Sequence, residues 1–175
     1  DDLDVKVIAG GQSLVAMMNL RLARPDLLVD LNGLDELAYI KVDSEGLHIG
    51  AMTRQRDAEK SSVVREGWPL ISEALPLVAH APIRNRGTMG GSLGHADPGA
   101  ELCAVALALD ASVRLLGPTG SRTVALADLF LGPFMTAIEP GEIIVETVFP
   151  PQTAGSGWAI EEVARRSGDF ALAGV

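Results

Sequence analysis

Residues 87–102 read GTMGGSLGHADPGAEL, which puts five glycines beside two small hydroxyl residues, Thr88 and Ser92. Glycine in regular structure is less stable than alanine by roughly 0.5–1 kcal/mol, so such a run marks a sharp turn or a place where a ligand touches main chain. A shorter glycine stretch, AGGQSL at 9–14, lies between the alternating apolar segment DVKVI and the helix-like LVAMMNLRLA. That order reads as strand, glycine loop and helix, with Ser13 as N-cap and the helix ending before Pro25. At a helix N-terminus, main-chain N–H groups and aligned dipoles hold anions, and glycine lets a pyrophosphate come close. The two loops are thus a candidate clamp for one dinucleotide, with Thr88 and Ser92 as hydroxyl donors. Arg84 and Arg86 of IRNRG stand either as local counter-charge or as solvated surface charge.

Neither loop reads G-x-G-x-x-G, and no Lys follows in P-loop spacing, which disfavours a Rossmann or P-loop site. The 175 residues are 47% hydrophobic, enough for one domain with a sizeable core or for two small lobes. A net charge of -9 argues against a nucleic-acid footprint, which draws on a basic face. The single cysteine, Cys103, can form no internal disulfide and cannot alone ligate an iron–sulfur cluster. Its setting, ELCAVALAL, reads as an apolar helix with a buried, inert thiol. His48, His80 and His95 lie far apart, without the spacing of a zinc site. Any redox role therefore requires an organic cofactor. No apolar run approaches the roughly 20 residues that span a bilayer, and the start has no signal-like stretch, so a cytoplasmic protein is expected. The chain opens on Asp1 and GDFALAGV breaks off partway through an element, as in a piece of a longer polypeptide.

Along the chain, LLVDL, LAYIKV and GLHIGAM read as strands, the last two joined by the turn DSEG. From Thr53 the period becomes helical through RQRDAEKS and PLISEALPLVAH, which puts a lobe boundary near residue 53, between a small lobe at 1–53 and a larger one at 54–175. GAELCAVALALD reads as a helix, SVRLLG, RTVAL, EIIVETVF and WAIEEVA as strands, and ADLF as a helical turn. The class is α+β, without regular βαβ alternation.

Two long segments, KVIAGGQSLVAMMNLRLARPDLLVDLNGL and IRNRGTMGGSLGHADPGAELCAVALALDASVRL, closely resemble the FAD-binding medium subunit of molybdenum hydroxylases. PGEIIVETVFP and EEVARRSGDFALAGV are similar too, so the resemblance runs nearly the whole chain in order. It implies the two-lobed FAD-binding fold of the vanillyl-alcohol oxidase (PCMH) type, with FAD as cofactor; family members begin before DDLDVKV and continue past GDFALAGV into a further domain. The first loop's contacts fall on Val7, Ile8, Ala9, Gly10, Gly11, Gln12, Ser13 and Leu14, the second's on Thr88, Met89, Gly90, Gly91 and Ser92. Glu101 stands where the family usually has a ribose-binding Asp, and Ile144 matches an apolar flavin neighbour. Xanthine dehydrogenase relatives have a Lys where this chain has Glu161, so the resemblance leans to the carbon monoxide dehydrogenase branch.

The implied function is an electron-transfer flavoprotein subunit, partnered by an iron–sulfur small subunit and a molybdenum-cofactor large subunit and reducing an external acceptor. No catalytic nucleophile, triad or metal site is expected of this chain itself. Two alternatives are a self-contained flavin oxidase or reductase, with His95 and Asp97 as acid–base candidates, and a nucleotide-binding module with no redox role. His95 and Asp97 read more simply as a packing group and a turn residue.

Overall fold

The computed structural model describes residues 3–175. It begins with a small parallel unit: β1 (Val5–Ile8), α1 (Leu14–Asn19) and β2 (Leu27–Asp30), with Val5 beside Leu27 and Val7 beside Val29. α1 is shorter than LVAMMNLRLA predicts. Arg21 takes a left-handed conformation at φ 59°, and the N–H groups of Leu22 and Ala23 fold back onto the Met17 carbonyl. Ser13 occupies the N-cap position, but its side chain makes no capping bond.

The hairpin of β3 (Ile40–Asp43) and β4 (Gly46–Gly50) turns where expected, with Gly46 at φ 130°. Three short helices follow: α2 (Gln55–Lys60), α3 (Ser62–Gly67) and α4 (Pro69–Ala74). Ser61 accepts the Val64 N–H to cap α3, and Pro69 starts α4, where its missing N–H costs nothing. After α5 (Ala81–Arg84) comes α6 (Met89–His95), so the expected second glycine loop is itself a helix. α7 (Glu101–Ala108), β5 (Ser112–Gly117), β6 (Gly120–Ala125) and α8 (Leu126–Leu129) agree with their sequence patterns. β7 (Phe130–Gly132) and β8 (Met135–Thr136) make a small unforeseen hairpin before β9 (Ile143–Phe149). WAIEEVA shrinks to β10 (Glu162–Val163), which finds only β11 (Ala173–Gly174) as a partner.

One five-stranded antiparallel sheet, in the order β3-β4-β9-β5-β6, organises the larger unit. Leu47 and Ile49 of β4, Val113 and Leu115 of β5 and Phe149 of β9 join Ile71, Leu75, Met89, Leu93, Leu102 and Val105 from the helical segments in one buried core. β3 and β4, from the stretch expected in the small lobe, pair into the same sheet as the later strands β9, β5 and β6. Hairpin strands carry no mark in their sequence of which sheet they will join.

The sheet's other face carries a polar network. His48 Nε2 lies 3.0 Å from Asp43 and Nδ1 3.3 Å from Glu146, whose other carboxylate oxygen meets Arg114 at 3.0 Å. Tyr39 donates its hydroxyl to Glu146.

Candidate cofactor site

The first glycine loop presents unused donors. Among the described residues, the main-chain N–H groups of Gly10, Gly11, Gln12, Ser13 and Leu14 meet no protein acceptor, although Val15 and Met17 already donate within the first turn of α1. Gly11 sits at φ 74°, a left-handed conformation that glycine adopts without strain. Gln12 braces the loop by donating its amide to the Gly10 carbonyl at 3.0 Å. A row of unpaired N–H groups is an arrangement that stabilises an anion, here at the start of a short helix.

α6 does not repeat this arrangement, contrary to the sequence expectation. Its first N–H groups are already used: Met89 donates to Thr53 O at 3.0 Å, Gly90 to Ala51 O at 2.9 Å and Gly91 to the Thr88 hydroxyl at 3.1 Å. Thr88 is buried and acts as the N-cap of α6. Gly90 is buried, and a β-carbon there would lie 2.5 Å from the Ala51 methyl, so glycine lets α6 lie against the end of β4.

What α6 offers outward is bare surface. Gly91 and Gly94 are exposed, one helical turn apart, and Ser92 between them keeps a half-buried hydroxyl with no protein partner among the described residues. The β-carbon position of Gly91 is 3.6 Å from the Ala9 methyl, so the first loop and α6 are neighbours. The β-carbon position of Gly94 is 3.6 Å from Ile144, which brings that predicted apolar neighbour onto the same surface. Val7 stands exposed on β1, while Ile8 and Leu14 are half-buried behind the loop.

Glu101 opens α7 and is buried at 8% exposure. Its carboxylate meets only its own N–H, and burial, with smaller contributions from Glu162 and Asp97, pushes its pKa up. A buried carboxylate with no donor beyond its own N–H is costly, which suits a site that receives hydroxyl groups. Burial pushes the Cys103 thiol up to about 12, in keeping with an inert core cysteine.

Other sequence candidates go elsewhere. Arg84 is neither counter-charge nor solvated: it is buried, donates to Glu59 at 2.8 Å and donates to the carbonyls of Val78 and Ala79. Arg86 has an exposed side chain, and its carbonyl faces Gly10. His95 packs against Phe134 with the rings tilted at 51° and their centroids 5.1 Å apart, and Asp97 accepts the Gly99 N–H at 2.9 Å, the packing and turn roles expected of them. Glu161 is exposed, and its main chain pairs with Val175. Sequence reasoning did not single out Gly94, which falls on the exposed face of α6 beside Ile144.

Unused loop donors, a glycine-smooth helix face, a free serine hydroxyl and a lone buried carboxylate together fit a ligand with a pyrophosphate, hydroxyls and a flat apolar ring, and so define a dinucleotide-cofactor protein. The sequence model of the family described as "FAD binding domain in molybdopterin dehydrogenase" matches residues 1–152. The chain is 47% identical over 171 residues to 6-hydroxypseudooxynicotine dehydrogenase complex subunit alpha of Paenarthrobacter nicotinovorans, covering 98% of this chain and 58% of that protein. It is 43% identical to the carbon monoxide dehydrogenase medium chain of Hydrogenophaga pseudoflava, with 98% and 60% covered. Carbon monoxide dehydrogenase from that organism, solved without the Mo-pyranopterin moiety of its cofactor, superposes with TM-score 0.95 at 44% identity over 98% of this chain and 60% of that one. Quinoline 2-oxidoreductase from Pseudomonas putida 86 gives TM-score 0.93 at 39% identity, with the same shares covered. This chain belongs to the family of FAD-binding domains of molybdopterin dehydrogenases, and FAD is its cofactor. It spans about 60% of the length of the carbon monoxide dehydrogenase medium chain. No helix among the described residues is long and apolar enough to cross a membrane.

Proposed function

We propose that FAD lies between the 9–14 loop and α6, and that this chain is the cofactor-holding part of an electron-transfer subunit. The observation that carries the reading is the row of unpaired N–H groups from Gly10 to Leu14 beside the bare face of α6. In this reading, the loop donors take the pyrophosphate, Ser92 and Glu101 take hydroxyl groups, and Ile144 with Gly94 forms an apolar floor. Val7, Ile8 and Ala9 shape the entry to the loop, while Thr88, Met89 and Gly90 fix α6 from behind.

The fold is of the two-lobed vanillyl-alcohol oxidase (PCMH) type, the small lobe ending between Asp30 and Ile40. FAD supplies a carrier that accepts electrons singly and releases them in pairs. An iron–sulfur subunit delivers the electrons, a molybdenum subunit oxidises the substrate, and an external acceptor, in the cytoplasm, takes them up. The relatives' names, a medium chain and a subunit of a dehydrogenase complex, support a place in a multi-subunit dehydrogenase.

Gly94→Leu tests the site. A β-carbon there meets Ile144 and Ile138 at ordinary contact distance, the position is exposed, and leucine improves helix propensity, so the variant is expected to fold. FAD affinity in a fluorescence titration is expected to fall by at least about tenfold, the loss of roughly one good contact. Unchanged affinity would remove α6 from the site.

A further inference from the structure

We infer that Arg54 is a positioning residue for the cofactor: it ties the Gly10–Gly11 loop to the segment entering α6 and so sets the spacing between the two sides of the FAD site. The inference rests on the reading that FAD lies between these two segments.

Few polar bonds join the small parallel unit to the rest of the chain. Among the described residues, no main-chain hydrogen bond and no salt bridge joins residues 3–31 to any residue beyond 40, and β1 and β2 share no strand with the five-stranded sheet. The polar route between the two units runs through two side chains. Asn32 donates its amide to the Ala9 carbonyl at 2.8 Å, and its amide oxygen accepts from Arg54 Nη2 at 2.7 Å. Arg54 Nη1 donates to the carbonyl of Arg86, the group against which Gly10 packs.

Arg54 is itself anchored on the α6 side. Its backbone forms an antiparallel bridge with Thr88, and the next residue, Gln55, donates its N–H to the Gly87 carbonyl at 2.9 Å. One guanidinium thus reaches from the α6 side to Asn32 and, through it, to the loop. The Asn32 main-chain N–H donates to Asp30 at 2.9 Å, which fixes the asparagine at the end of β2. Asp30 is held below the usual carboxylate range by that bond first and by its side-chain bond to Asn32 next, with Arg86 and Arg54 adding charge. A planar fork with several N–H groups can satisfy two fixed acceptors together, whereas a lysine ammonium is a single point on a flexible stem. Two loops held at the right separation before binding lose less freedom when the cofactor arrives.

The test is FAD titration of the purified chain by fluorescence quenching, for wild type, Arg54→Lys, Arg54→Met, Asn32→Ala and the Arg54→Met/Asn32→Ala double variant. Arg54→Lys keeps the charge and loses the fork. Each single variant is expected to weaken binding at least roughly fivefold, and the double variant no more than the weaker of its two singles, because all three break one chain of bonds. The Arg54→Lys deficit should persist at high salt, and amide exchange at residues 10–14 should quicken in the cofactor-free variants. Arg54→Lys/Asn32→Ala serves the same cycle if Arg54→Met fails to fold. Wild-type affinity in Arg54→Lys would mean that only charge matters and would overturn the inference, as would additive losses in the double variant. Failure of the wild-type chain to bind FAD would instead sink the underlying reading, and needs no variant to be seen.

Discussion

Gly10 and Arg86 are in main-chain contact: a β-carbon on Gly10 would overlap the Arg86 carbonyl oxygen and come within 2.9 Å of the Gly87 Cα. The two glycine-rich segments, 76 residues apart in sequence at these two positions, are thus pressed together without a side chain between them. The same Arg86 carbonyl accepts from Arg54, so it is held from two sides and has nowhere to retreat.

Gly10→Ala is therefore expected to separate the loop from the α6 segment. The overlap is with backbone, which gives less readily than a side-chain end, and overpacking of this kind costs about 1–3 kcal/mol. Urea unfolding should show that loss, and FAD titration of the folded fraction should show weakened binding as well. An alanine variant with wild-type stability and wild-type affinity would mean that the contact relaxes freely and does not set the site.

Much of this architecture was legible in the sequence, and the exceptions have physical causes. Strands such as Val5–Ile8 and Ile143–Phe149 announced themselves through their β-branched, apolar composition, although Val5 and Val7 stay exposed. Helix Met89–His95 did not, because three of its seven residues are glycines and helix propensity argues against it. Tertiary contacts hold it instead, through the Thr88 cap and the bonds from Met89 and Gly90 to Thr53 and Ala51. The sequence expectation gave both glycine segments the same donor arrangement, which the structure has only at the first. Unpaired donors collect on the first loop, while the second offers smooth surface. Arg54 within TRQRD reads like any solvated residue at a helix start, and only the meeting of residues 32, 54 and 86 reveals its connections.

The network around His48 makes stability depend on pH near neutrality. Burial pulls the imidazole pKa down, but hydrogen bonds to Asp43 and Glu146, with their charges, outweigh it and raise the folded value above 6.5. Folded His48 thus holds its proton more tightly than the unfolded residue. The resulting stabilisation is fully present below about pH 6.5 and is lost as pH rises through the folded pKa. Thermal or urea unfolding over this range should show stability falling with pH, and His48→Gln should flatten that slope while leaving the sheet intact. An equal slope in wild type and variant would assign the dependence to other groups.

Glu101 is expected to trade stability for affinity. Its raised pKa means that the folded chain holds the carboxyl proton more tightly than the unfolded chain does, so stability falls as pH rises from about the ordinary value of 4.5 through the folded pKa. Glu101→Gln removes the buried charge, and at pH 7 the cofactor-free variant should unfold at higher urea than wild type; below both pKa values the difference should vanish. FAD binding should move in the opposite direction. A ribose hydroxyl donates more strongly to a carboxylate than to an amide, so Glu101→Gln weakens binding modestly, and Glu101→Leu, which leaves no acceptor, weakens it further. In wild type the affinity should also decline as falling pH protonates Glu101, a dependence that Glu101→Gln lacks. A more stable Glu101→Gln chain with undiminished affinity would show that this carboxylate is merely a buried charge, and that the ribose is held elsewhere.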